Sequence, residues 1–281
     1  MKIITSIKQM SDISQKLQRK GKTMGFVPTM GALHQGHVSL IRRARKENNI
    51  VVVSIFVNPA QFCPGEDLKK YPRNLKRDAQ MCRKEGVDFI FYPHAEDMYP
   101  GNYKTYVTVD DLSDGLCAKF RPGHFKGVTT VVTKLFNLLQ PEIAYFGQKD
   151  AQQAIIIKRM TEDLNMSVKI KIMPIVRQKD GLALSSRNVY LAPKERKEAL
   201  VLSQALNLAD KLIKQRNRNP KDIICRMRQL INKKKSAKIQ YICIVDLENL
   251  KPVERIKGKV LIALAVWIGR TRLIDNLCLN C

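Results

Sequence analysis

The 281-residue chain is 44% hydrophobic and 27% charged, a composition of folded globular proteins and long enough for one large and one smaller domain. Fifty Lys and Arg against 25 Asp and Glu give a formal charge of +25, which attracts anions and puts nucleic acid among the partners to be weighed. The longest apolar run, Val260 to Ile268, is strand-sized, and Met1 to Met10 lacks the apolar segment of a signal peptide, so a cytoplasmic protein without a membrane partner is expected.

In chain order, the first clear element is a short strand, Met24 to Val27. A turn from Pro28 to His37 follows, then a helix from Val38 to Lys46. Ile50 to Val57 is a continuous β-branched run, the pattern of a strand buried on both faces of a parallel sheet. Leu75 to Glu85 reads as a helix stopped by Gly86, and Val87 to Tyr92 as the next strand. A helix over Gly127 to Leu139, a strand over Ile143 to Phe146, a helix over Asp150 to Asp163 and a strand over Val168 to Met173 continue the alternation. This order predicts an α/β fold, a Rossmann-like doubly wound parallel sheet, with ligands held beyond the C-terminal strand ends.

After Pro174 the character changes. Long helices are predicted from Pro193 to about Lys214 and from Pro220 to Asn232, and strands at Ile239 to Leu247, Val260 to Ile268 and Thr271 to Ile274. A smaller C-terminal α+β domain over residues 177–281, following a nucleotide-binding domain over 1–176, is the expectation.

Polar loops at strand ends hold the chemistry. In the turn Met30-Gly31-Ala32-Leu33-His34-Gln35-Gly36-His37, two of the chain's four histidines stand three residues apart before a helix N-terminus. Unpaired N–H groups, a positive dipole end and imidazole N–H groups suit a phosphate there; the plainer reading is that both rings only cap the helix. Gly147-Gln148-Lys149-Asp150 places a lysine in a second strand-end loop, as a phosphate partner or as half of a surface Lys–Asp pair. Ser185-Ser186-Arg187 offers hydroxyls and a guanidinium fork for phosphate, or is a polar turn. Gln61 and Gln153 carry amides that suit a hydroxy acid, although Gln153 lies within a helix where a solvent-facing side chain is common. Arg121 and His124 contact a ligand or only shape their loop. The seven cysteines show one C-x-x-C spacing, Cys278 and Cys281, without the partners of a zinc site, so no metal ligand set is expected. Basic residues are spread along the chain without interleaved aromatics, which speaks against nucleic acid as the partner. What remains is chemistry by positioning and charge neutralisation, which nucleotidyl transfer fits.

The H-x-G-H turn resembles the signature of the nucleotidylyltransferase superfamily. The fuller series, PTMGALHQGH, VSIFVNPAQF, DLKKYPR, RPGHFKGV, FGQKDAQQ, DGLALSSRN and GRTRLIDN, is similar to the pantothenate synthetase (pantoate–β-alanine ligase) family from residue 28 to 276. The resemblance implies ATP-dependent condensation of (R)-pantoate with β-alanine through a pantoyl adenylate, releasing AMP and pyrophosphate. It implies that Met30, Gly31, Ala32, Leu33, His34, Gln35, Gly36 and His37 line the ATP site, with His37 the proton donor and His34 a phosphate contact. It extends that site to Gly147, Gln148, Lys149 and Asp150, to Val176 at adenine, and to Leu184, Ser185, Ser186 and Arg187 at the triphosphate. Catalytic roles fall to His37, His34 and Lys149, and pantoate and β-alanine contacts to Gln61 and Gln153. Mg2+ and a homodimer are implied as well. Ala60, Cys63 and Ala151 stand where Met, Gly and Tyr are common in the family. A nucleotidylyltransferase that stops at the adenylate would share the H-x-G-H turn without reason to hold the other motifs together. A nucleic-acid binder built on the same scaffold would account for the charge alone.

Overall fold

A computed structural model describes residues 1–281, which divide into two compact units. The first comprises residues 1–113, 121–147 and 153–174. Its elements are β1 (Lys2–Ile4), α1 (Ile7–Arg19), β2 (Met24–Thr29), α2 (Gln35–Glu47), β3 (Ile50–Ile55), α3 (Leu75–Lys84), β4 (Phe89–Phe91), α4 (Ala95–Met98), α5 (His124–Leu139), β5 (Ile143–Gly147), most of α6 (Ala151–Asp163) and β6 (Lys169–Met173). The six strands form one sheet in the order β1-β4-β3-β2-β5-β6 with every pair parallel. The strand order reverses at β2 and β5, where doubly wound sheets bind ligands.

Alternation along each strand feeds two cores. Phe26, Val52, Ala144 and Phe146 face Met10 of α1, Val132 and Phe136 of α5 and Ile157 of α6. Val27, Val51, Val53 and Tyr145 face Leu40, Ile41 and Ala44 of α2 and Ala79 and Cys82 of α3. Strands buried on both faces are continuous apolar runs for this reason, as IVVVSI in β3 shows.

The far end of α2 is fixed to the sheet. The Tyr145 hydroxyl donates to Glu47 at 2.8 Å and accepts from Asn48 Nδ2 at 2.8 Å, and the Lys171 ammonium also donates to Glu47. Lys171 chiefly, then Tyr145, hold the Glu47 carboxyl at about 2, below its ordinary 4.5. A depressed carboxyl stabilises the fold above its unfolded value and loses that contribution as pH falls through the folded one. The urea midpoint of Glu47→Gln is therefore expected to lie below wild type at pH 6, the gap closing between about pH 4.5 and 2. A gap independent of pH would remove the carboxylate from this anchor.

The second unit comprises residues 114–120, 148–152 and 175–281. Its regular elements are α7 (Pro193–Glu198), α8 (Val201–Lys214), α9 (Pro220–Asn232) and an antiparallel sheet β7 (Ala237–Asp246), β8 (Lys259–Ile268) and β9 (Thr271–Asn280) in that order. Leu202, Leu206 and Ile213 of α8 and Ile223, Met227 and Ile231 of α9 pack on Ile262, Leu264, Val266 and Leu273. The helix expected from Pro193 to Lys214 is two helices, because around Leu200 and Leu202 the N–H groups bond three residues back, to Lys197 and Ala199. The last strand continues to Asn280, beyond the expected end at Ile274. No helix is long and apolar enough to cross a membrane.

Candidate active site

The turn after β2 is built around its own backbone. Gly31 and Ala32 have φ of +83° and +50°, a left-handed pair that a non-glycine residue adopts at a cost of roughly 1–2 kcal/mol. Two hydrogen bonds hold it: Ala32 N and Leu33 N each donate to the Asp78 carboxylate at 2.9 Å. Asp78, on α3, is buried; desolvation pushes its carboxyl above the ordinary value against the pull of those two N–H groups. Thr29 Oγ1 closes the turn from the strand side, accepting from Gly31 N at 3.1 Å and donating to Ser54 O at 2.7 Å.

At the entry to α2 the two imidazoles form a reciprocal cap. Gly36 N donates to His34 Nδ1 at 3.1 Å, and His34 N donates to His37 Nδ1 at 3.2 Å. The ring centroids are 4.1 Å apart. Because each Nδ1 accepts, each neutral ring carries its hydrogen on Nε2. The histidines thus do cap the helix, and capping selects the tautomer that makes Nε2 a donor.

Gln61 sits at the end of the 3₁₀ turn Pro59–Gln61 after β3, and three groups hold it. Its carbonyl accepts from His124 Nδ1 at 2.7 Å, its Oε1 accepts from Asn58 Nδ2 at 3.1 Å, and its Nε2 reaches Met30 Sδ at 3.1 Å. The side-chain bonds orient the amide, with its NH2 directed to Met30 of the histidine turn. Behind His124, Arg121 donates through Nη1 to His124 Nε2 at 3.0 Å and through Nε and Nη2 to the Glu66 carboxylate at 2.6 and 2.7 Å. Burial pushes the Glu66 carboxyl up, but the Arg121 guanidinium, with the Cys63 N–H and His124 beside it, holds the group below its ordinary value. His124 shapes the loop by fixing Gln61. Gln153 is half-buried on α6 in the same unit.

The expected site residues fall in both units. Met30, Gly31, Ala32, Leu33, His34, Gln35, Gly36, His37, Gln61, Gly147 and Gln153 belong to the first; Gln148, Lys149, Asp150, Val176, Leu184, Ser185, Ser186 and Arg187 belong to the second. Within the second, Lys149 Nζ lies 3.6 Å from Asp150, an ion pair whose acidic partner is half exposed and whose worth is about 0–1 kcal/mol. Leu184 N donates to Val176 O at 3.0 Å, closing a hairpin that presents Ser185, whose Oγ accepts from Arg187 N at 3.3 Å. Asp78, Asn58, Asp275 and Asn276 were not singled out by sequence reasoning. The last three lie in quoted motifs, whereas Asp78 carries no local signal.

Residues 2–278 match the family described as Pantoate-beta-alanine ligase. The pantothenate synthetases of Caldicellulosiruptor saccharolyticus and Fervidobacterium nodosum are each 54% identical to the chain, over 99% and 100% of both sequences respectively. Among solved structures, a pantothenate synthetase from Thermus thermophilus superposes with a TM-score of 0.94 at 42% identity, covering 99% of both chains. A pantoate–β-alanine ligase from Francisella tularensis, complexed with β-γ ATP and β-alanine, superposes with a TM-score of 0.80 at 36% identity, covering 99% of this chain and 97% of that one. The likeness carried by the seven motifs therefore extends over the whole chain and its fold, and the chain belongs to the pantoate–β-alanine ligase family.

Proposed function

We propose that this enzyme condenses (R)-pantoate with β-alanine in two ATP-driven steps. A pantoate carboxylate oxygen attacks the α-phosphorus of ATP, and the bond to the bridging oxygen of pyrophosphate breaks. The amine of β-alanine then attacks the acyl carbon of the adenylate; the C–O bond to AMP breaks as the amide forms and the amine gives up a proton. The observation that carries this reading is the reciprocal histidine cap, which fixes His34 and His37 as Nε2–H donors beside a helix N-terminus. Preset donors at the charge that develops on the phosphoryl oxygens stabilise the transition state without reorganisation. In the same reading His37 Nε2–H donates a hydrogen bond to the leaving pyrophosphate and keeps its proton, because a ring whose Nδ1 accepts from His34 N is neutral, while Lys149 and Arg187 neutralise phosphate charge. Gly147 to Asp150, Val176 and Leu184 to Arg187 contact ATP, and Gln61 and Gln153 hold pantoate, Gln61 later receiving β-alanine. In this reading magnesium would arrive with the nucleotide as Mg-ATP and supply charge neutralisation at the phosphates. A cytoplasmic homodimer formed through the first unit completes the proposal.

The deciding experiment is pyrophosphate release with Mg-ATP and (R)-pantoate, with and without β-alanine. Pantoate-dependent release, with AMP and amide sustained by β-alanine, is the expected result; the absence of any pantoate-dependent release sinks the reading. Gln61→Ala removes a preset amide facing a carboxylate ligand, and a hydrogen bond to a charged group contributes about 1.5–3 kcal/mol. Its KM for pantoate is expected to rise by about 10–100-fold with ATP affinity unchanged. A change in ATP affinity alone would move Gln61 to another subsite.

A further inference from the structure

Two consecutive residues of β9 are almost wholly buried and polar: Asp275 and Asn276 are 3% and 4% exposed. Neither is among the groups assigned above to ATP, pantoate or β-alanine. Each holds a different segment of the second unit. Asp275 takes a bidentate ion pair from Arg177 at 2.6 and 2.8 Å, and Arg177 Nη1 also donates to Gly181 O at 3.1 Å. Arg177 lies at the base of the hairpin that presents Ser185 to Arg187; it pairs with Ala183, and Gln178 N donates to Leu182 O across the same turn. Asn276 Nδ2 donates to the carbonyls of Gln148 and Lys149, both at 2.9 Å, while its Oδ1 accepts from Gln148 Nε2 at 3.3 Å. Asn276 N also donates to Asp275 Oδ1 at 2.8 Å, so the two anchors are tied together.

We propose that Asp275 and Asn276 are a pair of positioning residues that hold the Lys149 segment and the Ser185–Arg187 segment as one piece. This rests on the reading of those segments as ATP contacts. Asparagine suits the task because its NH2 can bridge two successive carbonyls, which an aspartate of the same shape cannot do. Two cations on long, rotamer-rich side chains neutralise phosphate best when their backbones are already fixed, since the ordering cost is then met before ATP arrives. Arg177 and Asp275 satisfy one another in a fork that a lysine could not reproduce. Side-chain contacts from a single strand therefore set the spacing of two loops 28 or more residues apart in sequence.

The test uses the full-length protein. Asn276→Ala and the near-isosteric Asn276→Asp are expected to lower pantoate-dependent pyrophosphate release by about 10–100-fold and to raise KM for ATP, with KM for pantoate within about twofold. Synthetic pantoyl adenylate with β-alanine should react within about threefold of wild type, because that step transfers no phosphoryl group. In a Lys149→Ala background, Asn276→Ala should add less than about threefold, since it acts through the residue already removed. Equal losses in both half-reactions, fully multiplicative losses in the double variant, or wild-type rates in both single variants would each overturn the proposal. Hydrogen exchange gives a readout free of activity: amides of residues 148–152 should exchange faster in both variants, and unchanged exchange there refutes the anchoring. Wild-type protein lacking pantoate-dependent release would instead sink the ATP-contact reading, leaving the anchoring to be judged by exchange alone.

Discussion

Gly127→Ala is expected to abolish most pantoate-dependent activity while leaving α5 helical. A Cβ at this position would lie 2.2 Å from Ala60 O, 2.4 Å from Ala60 C and 2.6 Å from Gln61 N. These are backbone atoms, so no side-chain rotation can relieve the overlap and the Pro59–Gln61 turn must move. Gly127 O also accepts from Asn58 Nδ2 at 3.0 Å, the same amide that orients Gln61. The substitution therefore shifts the turn and its brace together. Helix propensity alone would favour Ala by about 1 kcal/mol, whereas overpacking costs about 1–3 kcal/mol, so sterics decide and a modest fall in Tm is expected. The activity loss should be larger, because a displacement of roughly 1 Å in a positioning group costs on the order of 100-fold. At Gly101 an added Cβ meets nothing within 4 Å, and Gly101→Ala is the matched control. Steady-state assays of both variants check this; kcat/KM for pantoate within threefold of wild type in Gly127→Ala would show that the turn tolerates displacement.

The sheet was legible where period and burial agree. IVVVSI, buried almost throughout, could be placed from its apolar run alone. β1 was not legible, because only Ile4 of its three residues is buried and such a strand has no period to detect. The end of β9 was hidden for a more informative reason. Asp275 and Asn276 interrupt its apolar pattern, and both are polar because they bond to segments far away in the chain. Local pattern fails at the residues that have long-range work to do. The histidine turn was legible as a phosphate site or a cap, and the bond lengths show how the cap sets its donors. Its support was not legible: Asp78 lies 46 residues beyond Ala32, and an aspartate in the first turn of α3 reads from sequence as an ordinary dipole partner.

That support leads to the second large effect, an activity loss without matching destabilisation in Asp78→Asn. The side chain accepts from two backbone N–H groups at once. Asparagine offers one oxygen and one NH2, so one of the two N–H groups must face a donor and lose its bond. An unsatisfied buried N–H costs about 1–3 kcal/mol. Against this stands the burial of a carboxylate, which raises the Asp78 pKa despite the two N–H bonds. A raised carboxyl favours the fold when protonated and loses that contribution as pH rises through its folded value, so at neutral pH the native residue is itself a burden that the neutral amide removes. The two contributions oppose one another, and Tm is expected to change by only a few degrees. The turn has no such compensation. Ala32 is held at φ +50° by the bond that is lost or weakened, and it will relax toward negative φ, carrying His34 and His37 with it. Pyrophosphate release is expected to fall by about 10–100-fold. Adding Ala32→Gly, which removes the penalty for positive φ, should restore part of the rate in the Asp78→Asn background and little in wild type. A parallel collapse of Tm and rate, or no rescue by Ala32→Gly, would make Asp78 a simple packing residue rather than the strut of the histidine turn.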